Sequence, residues 1–287
     1  MNTADVIVVG AGAAGCVLAA RLSEDPARRV ILLEAGGRDS NPLLRVPLMT
    51  GLLLRSPYAN WSYATEPEAG LGGRSTKIPR GRVLGGSTAI NGMVWARGRP
   101  ADFDGWAQSG LRGWSWDDAL AGYRRIERFQ GGGSDIHGGS GELPITDAAV
   151  EHELIDAFIA AGRQAGHRDS ADFNAPPCEG VGRYHFSIAG GRRWSTAHAF
   201  LRPAAGRRNL RIVTRAFARR VLLDGARATG IAARVNGRDE VFHAPEIILC
   251  GGTINSPQLL MLSGIGPADH LQDHGIAVAA DLPGVGR

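Results

Sequence analysis

The chain predicts an α/β fold built on a parallel sheet, and three stretches carry that reading. "DVIVVG" opens with an apolar run at Val6 to Val9 and turns at once into the glycine-rich "AGAAG". "RVILLEAG" repeats the apolar run one helix later, and "EIILCGG" returns to it much further along, from Glu246. Short continuous apolar runs closed by glycine mark strands buried on both faces, as in a parallel sheet covered by helices.

The first strand leads into a tight turn and a helix of small and apolar residues, with Gly10, Gly12 and Gly15 spaced as G-x-G-x-x-G. The first glycine makes the turn, the second lets backbone approach a diphosphate, and the third lets helix and strand pack closely. A diphosphate then sits on the helix N-terminus, where free N–H groups and the dipole favour negative charge. The second strand places Glu34 where a carboxylate accepts hydrogen bonds from ribose hydroxyls and repels a 2′-phosphate. Together these predict a Rossmann-like unit for an adenine dinucleotide; the motif does not separate NAD from FAD.

An irregular stretch rich in glycine and proline follows, over residues 37–80. "GRVLGGSTAINGMVWARG", Gly81 to Gly98, then sets Ser87, Thr88 and Asn91 among glycines and apolar residues. Such a segment can run its backbone close under a flat ligand. Equally, it can be a buried loop opening a helix, with Ser87 or Thr88 as the cap. Helices are expected to residue 130, then the link "QGGGSDIHGGSG", then a helix over residues 151–166 from its apolar spacing. From residue 209 the chain alternates apolar and polar over three short strands before "EIILCGG" and the helix "SPQLLMLSG".

Composition is that of ordinary globular material, 44% hydrophobic and 21% charged. The net charge of +4 is modest, and Lys77 is the sole lysine. Seven arginines between Arg202 and Arg220 alternate with apolar residues, which reads as a solvated sheet face rather than a nucleic-acid surface. Cys16, Cys178 and Cys250 lack disulfide or zinc spacing. No apolar run approaches the length of a membrane span, so no span is predicted and the cytoplasm is the expected location. His270 and His274 stand at i and i+4 without a third ligand nearby, so no metal site is predicted. Trp106, Trp114 and Trp116 are expected to pack in a core around a helix start. No G-x-S-x-G nucleophile elbow occurs.

The Gly81–Gly98 segment resembles the first signature of the glucose-methanol-choline (GMC) family of FAD-dependent oxidoreductases. "GGTINSPQLLMLSGIG", Gly251 to Gly266, resembles the second. The likeness extends along essentially the whole chain and points to the N-terminal half of a choline- or alcohol-dehydrogenase-like member. It implies FAD, with Gly10, Gly12, Ala13, Ala14 and Gly15 at the diphosphate and Glu34 and Ala35 at the adenosine ribose. Arg82, Gly85, Gly86, Ser87, Asn91, Gly92, Met93 and Val94 would line the flavin and ribityl chain, and the backbone of Ala218 would meet the adenine. Some members attach flavin covalently through a histidine just before the asparagine; Ile90 stands there, so non-covalent FAD is expected.

The resemblance also implies an α/β fold: a Rossmann-like FAD-binding domain with a parallel sheet, plus part of an inserted α+β substrate domain. The expected division is residues 1–150 as the first part of the FAD-binding domain, 151–205 as an incomplete substrate-domain segment, and 206–287 as the second part. The implied chemistry is oxidation of a small-molecule alcohol to a carbonyl by hydride transfer to flavin N5. The electron acceptor stays open among oxygen, a quinone and a protein carrier. The family's catalytic base is a histidine near the C-terminus, so no catalytic residue is assigned here. His137 is a landmark with a structural role. "DLPGVGR" reads as a loop in mid-course, so the chain is expected to be the front half of a longer enzyme. The alternative is a non-catalytic or split flavin-binding module, completed by a separate C-terminal chain.

Overall fold

The computed structural model describes residues 2–147 and 151–287. It divides into two compact units: residues up to Asn91 with Ser195–Arg287, and Gly92–Trp194. The junction expected at 150/151 adjoins residues 148–150, outside the described residues.

Within the first unit the longer strands are β1 (Val6–Val9), β2 (Val30–Glu34), β3 (Leu210–Thr214), β4 (Ala216–Asp224), β5 (Arg227–Val235), β6 (Arg238–His243) and β7 (Glu246–Leu249). Its longer helices are α1 (Ala13–Leu22) and α2 (Gly252–Leu262). A parallel sheet is ordered β3-β2-β1-β7, with Val6 between Val30 and Glu246 in register. Every residue of β1 and β2 is buried, as strands covered on both faces demand. Ile7, Val9, Ile31 and Leu33 share one face and pack on Val221, Ile231, Val235 and Phe242 of the antiparallel sheet β4-β5-β6. Side chains alternate along a strand, so Val6, Val8, Val30 and Leu32 face the other way. α1 packs against these two strands and buries Gly15, Cys16, Ala19 and Ala20. Truncating Ile7, Ile31 or Leu33 to alanine costs about 2–5 kcal/mol.

The alternating run beyond residue 209 holds a further parallel strand that its pattern hides. Leu210–Thr214 pairs parallel with β2, putting Thr214 beside Glu34. Arg215 then takes a left-handed conformation, φ 54°, and its N–H donates to the Gly36 carbonyl at 2.7 Å. That single residue ends β3 and re-aims the chain into β4. Of the seven arginines, only Arg207 is partly covered; it donates to the Ala20 carbonyl and to Ser23 Oγ, finishing α1.

The second unit carries short strands Val94–Trp95, His185–Phe186, Leu143–Asp147 and Glu127–Phe129, adjacent in that order. Helix Trp116–Ile126 starts on a capping box in which Ser115 and Asp118 exchange hydrogen bonds. The helix expected over 151–166 forms as Glu153–Gln164. The tryptophans correct the reading above. Trp106 and Trp114 are 47% and 54% exposed and lean on each other at 6.0 Å, while Phe103 takes the buried place between Trp106 and Trp116. Two short helices meeting edge to edge have too little depth to bury three indoles. Among the described residues no helix is long and apolar enough to cross a membrane.

Candidate functional site

A cavity of about 490 Å³ opens in the first unit, at the carboxyl ends of β1, β2 and β7. Crevices outside the carboxyl ends of a parallel sheet are where such folds take ligands. Of the expected residues, Gly10, Gly12, Ala13, Ala14, Glu34, Ala35, Gly86, Ser87 and Ala218 line it.

The floor is bare backbone, and the glycines explain why. Gly10 has φ 101°, and a Cβ there would fall 2.4 Å from the Cys250 carbonyl oxygen. A Cβ on Gly15 would lie 1.8 Å from the Gly10 carbonyl oxygen, so α1 packs on the turn itself. On Gly12, by contrast, a Cβ would meet nothing within 4 Å. The second glycine of the motif faces open space. Gly86 closes the floor: its Cβ would come within 2.7 Å of the Gly12 Cα.

Two helices present their N-termini here. Gly12 caps α1 and Gly251 caps α2, and neither cap accepts a hydrogen bond through a side chain. Gly12, Ala13 and Ala14 line the cavity from one helix, Gly251, Gly252 and Thr253 from the other. Unsatisfied N–H groups at helix starts attract anions.

Glu34 is the acid of the cavity lining, and it is 5% exposed. Its Oε2 accepts the Ala11 N–H and its Oε1 the Gly36 N–H, both at 2.8 Å. Burial pushes its carboxyl up to about 6, partly countered by those two N–H groups and the charge of Arg82. A carboxylate offers about four acceptor sites. Glu34 spends two on backbone, which leaves capacity for ligand hydroxyls.

Other expected residues fall elsewhere. Arg82 lays its guanidinium 4.6 Å over the Trp61 ring rather than lining the cavity. Gly85 packs against Ser195 and Ala197, and Asn91 is exposed. Gly92, Met93 and Val94 open the second unit, where the Met93 carbonyl accepts the Ser187 N–H at 2.9 Å. Neither Ser87 nor Thr88 caps a helix: Ser87 Oγ accepts the Gly81 N–H at 3.1 Å, and Thr88 Oγ1 donates to the Gly85 carbonyl. Cys16 is buried with its thiol pushed up to about 12, chiefly by burial.

Sequence reasoning missed Trp61, Arg80, Phe217 and the start of α2 as cavity residues. The "GGT" at the start of α2 was the available signal, since glycine at the cap and at the first helical position offers no side chain to the N–H groups there. Trp61 and Phe217 carry no local signal. His270 and His274 stack edge to face at 4.8 Å, and the described residues contain no group of three or more side chains suited to a metal.

His137 sits in a buried network of the second unit. Its ring bonds Glu127 at 3.1 Å and Asp172 at 2.8 Å, and it stacks on Phe129 at 3.9 Å. Glu127, fully buried, also accepts from Arg97, the Trp95 indole and the Gly138 N–H. These contacts join Trp95, Arg97, Glu127, His137 and Asp172 within the second unit.

The family profile for GMC oxidoreductase matches residues 4–287. An oxygen-dependent choline dehydrogenase of Sinorhizobium medicae (strain WSM419) is 46% identical over 285 residues, covering 99% of this chain and 52% of that protein. A pyridoxine 4-oxidase from Mesorbium loti superposes with a TM-score of 0.94 at 40% identity, covering 98% of this chain and 55% of that one. An FAD-dependent oxidoreductase from Chaetomium thermophilum superposes at 0.89 with 28% identity, covering 98% and 51%. The chain thus spans about half the length of the relatives it matches.

Proposed function

Since this chain belongs to the GMC oxidoreductase family, we propose that it holds FAD without a covalent link and serves FAD-dependent oxidation of an alcohol to a carbonyl. The observation that carries this is Glu34, a buried carboxylate with acceptor capacity to spare, set in the same cavity as two helix N-termini capped by glycine and so without a side-chain cap bond. The residues fit the cofactor. Gly12, Ala13 and Ala14 would hold the diphosphate through backbone N–H groups, with Gly10 and Gly15 shaping the turn. Glu34, with Ala35 beside it, would accept the ribose hydroxyls. Gly86 and Ser87 would lie under the ribityl chain, and the backbone of Ala218 would meet the adenine. Arg82, Gly85, Asn91, Gly92, Met93 and Val94 stay assigned to the flavin side. Ile90, 1% exposed, has no group to bond a flavin.

Bound FAD would accept the substrate's hydride at flavin N5. The chain's own contribution is position and charge: a bare backbone floor, paired helix dipoles and a ribose anchor. No residue here is assigned as the base that takes the hydroxyl proton. The second reading is a flavin-binding module completed by another polypeptide, and the half-length coverage of the relatives favours weighing it. The three free cysteines fit a reducing compartment, and the cytoplasm is the proposed location. The electron acceptor and any nucleic-acid partner are unassigned.

The test is a visible absorption spectrum of the purified chain, before and after anaerobic addition of alcohols including choline and pyridoxine. Flavin bands that bleach establish oxidation by this chain. Flavin bands that persist support the module reading. A colourless chain that takes up no added FAD overturns the proposal.

A further inference from the structure

A second cavity of the first unit, about 420 Å³, opens beside the carboxyl ends of β2 and β3 and shares no lining residue with the one that holds Glu34. Arg38, Ser40, Tyr58, Thr214, Arg215 and Asn236 line it, and no acid does. Among the described residues, none of these six side chains makes a hydrogen bond or an ion pair. Elsewhere in the unit Arg28, Arg29, Arg202 and Arg219 each meet an acid. Asp39, next to Arg38 in sequence, is taken by Arg202 at 3.0 Å. The cavity therefore gathers two unpaired guanidiniums with three hydroxyls and an amide, a large excess of donors over acceptors.

The backbone fixes the segments that carry them. The Arg215 N–H donates to the Gly36 carbonyl at 2.7 Å, the Asn236 N–H to the Arg215 carbonyl at 3.1 Å, and the Leu84 N–H to the Gly37 carbonyl at 3.1 Å. Arg215 and Asn236 are both left-handed, at φ 54° and 49°. Asparagine takes that conformation readily; arginine takes it only under strain, and glycine would take it freely. A turn alone would be better served by glycine at 215, and what arginine adds there is its guanidinium. Two cations sharing one cavity repel each other, and a ligand with two negative charges relieves both. A carboxylate brings one charge and two oxygens. A phosphate group brings nearly two charges and three strong acceptor oxygens, which suit two guanidinium forks and the hydroxyl and amide donors beside them. We propose that this cavity is a phosphate-binding site, separate from the cofactor cavity, for inorganic phosphate or the phosphate of a small ester. The Tyr58 ring and Val83 give it an apolar part, against which an ester's organic group would lie.

Calorimetric titration of the full chain with inorganic phosphate tests this, at low ionic strength where exposed charges are least screened. Arg38→Ala and Arg215→Gly should each weaken phosphate about tenfold, the worth of one charge-assisted hydrogen bond. Glycine at 215 keeps the left-handed turn. Arg163→Ala, which removes an exposed arginine of the second unit, should leave the affinity unchanged, and acetate should compete poorly. FAD uptake should be the same in Arg38→Ala as in the unaltered chain. Phenyl phosphate separates the two sources: binding tighter than phosphate, with the gain lost in Tyr58→Ala, assigns an ester, and equal binding assigns the free ion. Phosphate affinity unchanged in both Arg38→Ala and Arg215→Gly would put the ion at the start of α1 and overturn the site. An equal loss in Arg163→Ala, acetate binding as well as phosphate, a matching loss of FAD affinity in Arg38→Ala, or no phosphate binding at all would overturn it too.

Discussion

Glu34 and Glu127 are both buried, at 5% and 0% exposure, yet they are held by opposite means. Glu127 accepts from Arg97, His137, the Gly138 N–H and the Trp95 indole. Burial works against its charge, but the His137 ring, the Gly138 N–H and Arg97 outweigh it and hold the carboxyl below the usual range. Among the described residues Glu34 has two backbone N–H groups and no hydrogen bond from a cation, and burial raises it to about 6. A saturated buried carboxylate is a structural knot. An under-satisfied one at a cavity has acceptor capacity left, which is why Glu34 is proposed to meet the ribose. Hydroxyl donors bound at Glu34 would offset the cost of keeping it charged.

The comparison can be broken most forcefully at Arg97. Arg97→Met takes from a fully buried carboxylate one of its two cationic partners, the other being His137, and the loss in stability is expected at about 3–5 kcal/mol, read from urea unfolding. A loss below 1 kcal/mol, roughly the worth of a surface pair, would show that Glu127 does not depend on this cation. Glu34 should respond to pH instead. Its folded value of about 6 lies above the ordinary 4.5. The stability this gives the FAD-free chain is therefore complete below pH 4.5 and lost as pH rises through 6, a step of about 2 kcal/mol. Glu34→Gln should lack that step; a variant that keeps it would assign the titration elsewhere.

His137 sharpens the other side. Burial opposes its charge, but Asp172 and Glu127 outweigh that and raise the ring to about 9. Its contribution is full below pH 6.5 and declines as pH rises through 9, so wild type and His137→Gln should converge in stability at high pH. A constant gap between them would mean the ring acts by packing alone. The smallest effect belongs to Trp95→Phe, which removes one of several donors to Glu127 and should cost about 1 kcal/mol.

What was legible in the chain was what short-range patterning dictates. The run from Val6 through Gly15 to Glu34 states strand, turn, helix and strand in order, because Gly10 and Gly15 there answer a turn and a close packing that are local in sequence. The run beyond residue 209 was legible as strands, three expected where four form, but not the parallel pairing of Leu210–Thr214. Its partner is Val30–Glu34, and nothing local records a pairing across such a separation. The same holds for Trp61 and Phe217, whose rings meet at 5.9 Å although the residues lie far apart in the chain. Trp106 and Trp114 misled for the converse reason. An indole reads as core, and only the shallow contact of two short helices reveals that it is not.

The most direct measurement is an FAD titration of the full chain against its Glu34→Ala variant, followed by flavin fluorescence, with circular dichroism confirming that both are folded. If Glu34 is the ribose acceptor, affinity should fall by about ten- to a hundredfold, the worth of one hydrogen bond to a charged group. Equal affinity in two folded proteins would contradict the claim, and Glu34 would join Glu127 as a structural acid.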